Sequence, residues 1–477
     1  MKGEKRFIEL ELTPVLSEQN HLLQLAQFFA KEPGTSFLYS GGDFPLSQRS
    51  FLAIYPYAYI HIQAEEQRKG LIGSNANLLL QQNPWDALKL FLTDVQSESP
   101  LPTWIGYLGY EMGAFSEPSL QVKHAKSDLP LAFFHRFAVL LTFDHITARS
   151  FMRIELEALV HLNKMQYKQV KRLETLSGWK EALAKANYQH APSQSPKLTV
   201  SQPLNATVFQ SQVNSIKELI NEGMIYQVNL SQKLFLKGKR DAFDIFKELT
   251  ACNPAPYACY LDLPFGQIIS SSPEQFLLKK GKHLFTEPIK GTAPRGRTLE
   301  EDFIWQERLL SSPKENAELL MITDLMRNDL GRISLPGSVK CKAKWKCHAY
   351  QNVFHLSSPV QSMIHSHWHF LEALRACFPG GSITGCPKFK AMEVIHALEQ
   401  KPRGIYTGSI GYFTDSEDFN FNIAIRTLTI SNDKIEVALG AGIVADSDPE
   451  KEFDELLHKG RSIFKILGLF KRDYFVL

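Results

Sequence analysis

The segment Gln227-Val-Asn-Leu-Ser-Gln-Lys-Leu-Phe-Leu236 alternates apolar and polar residues. In an extended chain Val228, Leu230, Leu234 and Leu236 share one face, and Gln227, Asn229, Ser231 and Lys233 the other. Phe419 to Ile430 repeats the pattern: Phe421, Ile423 and Ile425 point one way, Asn420, Asn422 and Arg426 the other. Long strands with one polar face belong to antiparallel sheets, whose wet side meets solvent or lines a cleft. Just upstream, Thr207 predicts a helix cap ahead of Val208, Val213, Ile216, Leu219 and Ile220, with Gly223 ending the helix.

Further towards the N-terminus, Ala191-Pro-Ser-Gln-Ser-Pro196 and Ser201-Gln-Pro203 have the composition of a linker or exposed loop. Before them, Glu155 to Tyr188 is charged with spaced leucines and predicts one or two surface helices, while 132–143 predicts a strand. The resulting division is an N-terminal subdomain of mixed α/β character at 1–190, a linker or loop at 191–204, a second region at 205–465 and a C-terminal tail at 466–477.

Composition narrows the function. At 477 residues the chain can bury a core without disulfides or a structural metal. Lysine and arginine total 53 against 50 acids, which leaves no basic footprint for nucleic acid. The six cysteines include no C-x-x-C pair and read as reduced thiols. Residues 7–12 alternate acidic and apolar side chains in place of a signal peptide's apolar core, and no run approaches the ~18 apolar residues of a membrane span. A soluble, cytoplasmic protein with no membrane contact is the expectation.

Several residues carry chemical potential. Glu315 and Glu318 are three apart on a predicted helix, and Glu452, Glu455 and Lys459 have spacings of three and four on another. Carboxylates from two helices can converge on magnesium, which keeps several waters and binds substrate oxygens; each cluster alone reads as a solvated helix face. Leu439-Gly-Ala-Gly-Ile-Val444, after a strand, and Pro379-Gly-Gly-Ser-Ile-Thr-Gly-Cys-Pro-Lys388, before a helix, predict turns whose bare amides can bind a carboxylate. Neither is a nucleotide fingerprint. Lys290, between Pro288 and Gly291, stands where a strand meets a turn; in a desolvated cleft it could act as a nucleophile, and alone it reads as a surface lysine. The run His365-Ser-His-Trp-His369 reads as a polar surface stretch.

These features occur with others in one order: Ser271-Ser-Pro-Glu-Gln-Phe276, Pro288-Ile-Lys-Gly-Thr292, Ile322-Thr-Asp-Leu-Met-Arg-Asn-Asp-Leu330, His355-Leu-Ser-Ser358, Gly385-Cys-Pro-Lys388, Arg403-Gly-Ile-Tyr-Thr-Gly408, Ala424-Ile-Arg-Thr427 and Gly440-Ala-Gly-Ile-Val444. Together they resemble the chorismate-utilising enzymes over 205–465, and within that family the component I subunits of aminodeoxychorismate synthases. Phe37-Leu-Tyr-Ser-Gly-Gly42 extends the resemblance loosely into the N-terminal region.

The resemblance implies an α+β fold like that of anthranilate synthase component I, with large antiparallel sheets flanked by helices. It implies Mg2+ as cofactor, with Glu318 and Glu455 as ligands supported by Glu315 and Glu452. It implies a chorismate carboxylate clamp of Tyr406, Arg426, Lys459 and the amides of Gly440, Ala441 and Gly442, with Thr384 also in the substrate site. Glu274 resembles the general acid/base, His355 the family's active-site histidine, and Lys290 a nucleophile that attacks C2 of chorismate. Relatives that add water carry a lysine where Gln227 stands, and anthranilate synthases usually carry alanine where Lys290 stands. The chain has no G-x-C-x-G nucleophile loop, so a glutamine amidotransferase subunit is the implied partner. Two alternatives stand beside C4 amination: anthranilate synthase component I, and a non-catalytic subunit that activates an amidotransferase.

Overall fold

The structure, a computed structural model, describes residues 6–41, 44, 48–72, 77–93, 99–117, 120, 127, 129–188, 198–342, 345–350 and 353–476. Its dominant feature is a continuous network of antiparallel strands drawn from both halves of the chain. Ser36–Tyr39 pairs with Tyr257–Leu263, and Pro102–Leu108 pairs with Ser409–Thr414. One apolar cluster crosses the same boundary: the Phe37 ring packs against Phe243 and Phe246 at centroid distances of 6.4 and 5.7 Å.

Gln227–Lys237 is central to this network. Lys434–Ile443 pairs along its length, while Gly385–Cys386 and Thr199–Gln202 pair with its two ends. Val228, Leu230, Leu234 and Leu236 are fully enclosed. Gln227, Asn229 and Ser231 on the opposite face are buried as well, with Ser231 donating to Glu399 of the helix Lys388–Glu399.

The first part of the stretch read as a linker, 191–197, lies outside the described residues, as does Gly42. Its last part includes the strand Thr199–Gln202. Beyond the helix Pro449–Ile466 the tail folds back, and Phe475–Val476 pairs in parallel with Leu204–Asn205.

Local readings change in three places. The region 419–430 is two strands, Phe419–Asn422 and Thr427–Ser431. Between them Ala424 bonds the backbone of Thr407 and Gly408 at 2.9 Å each, and Arg426 adopts φ +50°. The helix Ala206–Asn221 is capped by Asn205, whose side chain accepts from the Val208 amide at 2.8 Å; Thr207 lies inside it and Val208 faces solvent. Residues 440–442 form no turn: Gly440, Ala441 and Gly442 lie within a strand, opposite Ser231, Leu230 and Asn229. His369 caps the helix Phe370–Cys377, its Nδ1 accepting from the Leu371 amide at 3.3 Å. No helix among the described residues is long and apolar enough to cross a membrane.

Candidate active site

Lys290 lies on Ile289–Pro294, an edge of a three-stranded sheet completed by Val353–Ser357 and Lys346–Ala349. Gly291, at φ +71°, forms a bulge there: Lys290 stands opposite Leu356, yet Thr292 stands opposite His355. A bulge re-aims the neighbouring side chain. Glycine also admits the helix Pro313–Gly331, since a Cβ at 291 would stand 3.0 Å from Glu315 Oε2. Lys290 is mostly buried, with its Nζ 4.0 Å from Glu318 Oε2.

The strand glycines serve a similar purpose. A Cβ on Gly442 would stand 2.9 Å from Gln227 Nε2 and 3.4 Å from Lys290 Nζ, so the bare backbone lets amide and amine meet there. A Cβ on Gly440 would stand 2.5 Å from the Tyr406 hydroxyl oxygen. The site needs missing side chains at these positions more than it needs a turn.

Glu274 is buried, and burial raises its carboxyl to about 7 against the pull of a Ser382 hydrogen bond, the Lys290 charge and a backbone amide. Ser382 Oγ donates to its Oε1 at 2.7 Å. An acid held there keeps its proton into the neutral range.

Two helices face this centre with carboxylates. The first, Pro313–Gly331, is capped by Ser312 and the second, Pro449–Ile466, by Asp448. Burial and then the Glu318 charge raise Glu315; burial raises Glu452 too, opposed by a 2.7 Å bond from Ser447 and aided by Glu455. Glu455 goes the other way: burial raises it, but Lys459 at 2.8 Å and the charges of Lys290 and Lys314 bring it below the usual range. The oxygen donors suit magnesium, although among the described residues no three His, Cys, Asp or Glu side chains form a ready metal site.

Arg426 lies across the cleft. Its Nη1 donates to Asn253 Oδ1 at 3.0 Å, and burial lowers its pKa with no carboxylate opposing. No ion pair to it forms among the described residues. A guanidinium held in a low dielectric on a neutral amide favours an incoming anion. Lys459 Nζ also donates to the Gly440 carbonyl at 3.3 Å. His355 is buried, and burial, followed by the Arg426 charge, lowers it to about 3 despite a hydrogen bond at the Gly291 backbone. It is neutral at working pH. Thr384 is fully buried and its hydroxyl donates to the Gly380 carbonyl at 2.9 Å.

Lys290, Gln227, Gly442, Glu318 and Glu274 thus share one centre, flanked by Glu315, Glu452, Glu455 and Lys459 on one side and by Arg426 and His355 on another. Sequence reasoning passed over Ser382, which bonds Glu274, and Asn253, which holds Arg426. Ser382 sits inside the Gly-Gly-Ser-Ile-Thr-Gly run and could have been weighed there; Asn253, at the end of the helix Ala242–Cys252, had no local signal.

A half-buried guanidinium with no ion pair among the described residues, a carboxyl held at about 7 and two facing carboxylate helices make a site that can receive an anionic small molecule. The chain belongs to the chorismate binding enzyme family, which it matches over residues 31–465. It is 35% identical to aminodeoxychorismate synthase component 1 of Bacillus subtilis (strain 168) over 371 residues, covering 77% of each chain. It is 32% identical to anthranilate synthase component 1 of Lactococcus lactis over 433 residues, covering 88% of this chain and 91% of that one. Among solved structures it resembles anthranilate synthase component I from Streptococcus pneumoniae TIGR4, with a TM-score of 0.74, 29% identity and coverage of 88% and 93%. The expected α+β fold is therefore the observed one.

Proposed function

We propose that the chain acts as component I of an aminodeoxychorismate synthase, aminating chorismate at C4 with ammonia from a glutamine amidotransferase partner. The observation that carries this reading is the place of Lys290, whose amine lies inside the cleft with Gln227, Gly442 and Glu318 instead of on the surface.

In the proposed reaction the Lys290 amine, after giving up its ammonium proton to solvent, forms an N–C2 bond, the two ring double bonds shift, and the C4–O bond breaks. Glu274 gives its proton to the departing hydroxyl, which leaves as water. Ammonia then forms the C4–N bond, the C2–N bond to Lys290 breaks, and the surplus proton returns to Glu274. The balance is chorismate plus ammonia to 4-amino-4-deoxychorismate plus water, on the route to 4-aminobenzoate and folate. Gln227 takes no proton near neutral pH, which disfavours water addition. His355, being neutral, contributes hydrogen bonding.

Arg426, Tyr406 and Lys459 hold the substrate carboxylates in this reading, beside the side-chain-free strand at Gly440, Ala441 and Gly442. Glu318 and Glu455 would hold magnesium, with Glu315 and Glu452 beside them. The ion ordinarily takes only one or two protein carboxylates and completes its shell with water and substrate oxygen. When bound, it neutralises charge on the ring carboxylate. The component 1 names of the Bacillus and Lactococcus relatives accord with a second, ammonia-supplying subunit.

Anthranilate synthesis is the second reading, supported by the likeness to the Lactococcus and Streptococcus proteins. Product identity separates the two. The purified chain is incubated with chorismate, magnesium and ammonium, with and without an aminodeoxychorismate lyase. Lyase-dependent 4-aminobenzoate is expected; anthranilate without lyase overturns the reading, and no turnover favours a non-catalytic subunit.

A further inference from the structure

We propose that Arg403, enclosed within the protein, is the positioning residue that sets the spacing of the chorismate clamp; the inference rests on the clamp described above. Arg403 is 1% exposed, and all five of its guanidinium N–H groups have acceptors. Nε donates to Glu399 Oε2 at 2.9 Å, and Nη2 to Glu399 Oε1 at 2.7 Å and the Asn229 carbonyl at 2.6 Å. Nη1 donates to the Ile383 carbonyl at 3.0 Å and Thr407 Oγ1 at 3.2 Å. The guanidinium also lies 4.7 Å from the Tyr110 ring centroid and 5.9 Å from that of Tyr406.

The acceptors belong to separate segments: Asn229 stands opposite Gly442 of the clamp, Thr407 follows Tyr406 of the clamp, and Ile383 precedes Thr384 of the substrate site. Asn229 pairs with Gly442 across the strands, and its own amide donates to the Thr384 carbonyl at 2.8 Å. Thr407 follows Tyr406 and passes the link on, its hydroxyl donating to the Tyr406 carbonyl at 2.6 Å. Glu399 extends the network, with Oε1 accepting from Ser231 N at 2.8 Å and Ser231 Oγ at 2.9 Å. One rigid fork therefore fixes the Thr384 turn, the Gln227 strand and the Tyr406 turn relative to one another. Lysine offers three donors on a flexible stem and cannot reproduce the fork.

The test compares Arg403→Lys, Thr407→Val and Thr407→Ser in the full chain. Chorismate affinity is measured by equilibrium binding without turnover, alongside kcat, KM and the unfolding midpoint. Arg403→Lys is expected to weaken chorismate binding about tenfold, and Thr407→Val about threefold, with kcat within about twofold of the parent. Thr407→Ser restores the hydroxyl and the affinity. Unchanged affinity in folded Arg403→Lys overturns the proposal; if that variant does not fold, unchanged affinity in Thr407→Val does so. Because binding is read without product, a chain that makes anthranilate leaves this test intact.

Discussion

Lys290 Nζ stands 4.0 Å from Glu318 Oε2, joining the three-stranded sheet to the first carboxylate helix at the centre of the cleft. The bulge at Gly291 sets the direction of that lysine, and the same glycine lets Glu315 approach the strand. Lys290 and Glu315 are therefore positioned by one local distortion.

Lys290→Ala is expected to lower C4 amination by roughly 10²–10³-fold, while chorismate affinity stays within about threefold. Mass spectrometry of acid-quenched parent enzyme should find a chorismate-derived adduct on the Lys290 peptide, at the mass of the substrate less water. A variant that retains full C4 amination sinks the covalent route.

Glu274→Gln separates stability from activity. The folded protein holds this carboxyl at about 7 against an ordinary value of 4.5, so between those values the native state binds more protons than the unfolded one. Stability from this group is present at low pH, declines as pH rises from near 4.5, and levels off above about 7. The glutamine variant has no such loss. Its stability advantage should grow across that window and reach on the order of 3 kcal/mol above neutrality, while turnover falls at least about a hundredfold. Denaturant unfolding at several pH values checks the first part; an advantage independent of pH would falsify the burial argument.

Much of this was legible from local pattern. The alternation in 227–236 marked both the enclosed face and the polar one, and the three- and four-residue spacings placed the carboxylates on helix faces. What escaped depended on distant partners. Arg426 reads as the next residue of an alternating strand until Thr407 and Gly408 bond Ala424 and turn the chain. Gly440 and Gly442 read as turn glycines, because a glycine kept for the approach of Tyr406, Gln227 and Lys290 looks the same in one dimension. Arg403 looked like motif context only; its acceptors come from residues 229, 383, 399 and 407.

Arg426→Met tests the anion site. Its half-buried guanidinium rests on the Asn253 amide with no carboxylate opposing its desolvation, so removing the charge costs the empty protein little. The variant is expected to keep or slightly raise the unfolding midpoint while chorismate KM rises about a hundredfold, the size of a lost charge-assisted pair. A KM near the parent's shows that Arg426 does not receive a substrate carboxylate.

Magnesium binding should release protons. Burial raises Glu315, aided by the charges of Glu318 and Glu455, and raises Glu452, aided by that of Glu455, so each gives up its proton at higher pH than an ordinary carboxyl, whereas Lys459 helps to hold Glu455 below its ordinary value. A cation entering between the helices favours the ionised forms and displaces those protons. Apparent magnesium affinity should therefore fall as pH falls through the upper carboxylate range. Calorimetry in buffers of different ionisation enthalpy should show proton release that shrinks as pH rises. Glu318→Gln and Glu455→Gln, which remove the proposed ligands, should each weaken magnesium about tenfold or more. Magnesium affinity untouched by both substitutions places the ion elsewhere.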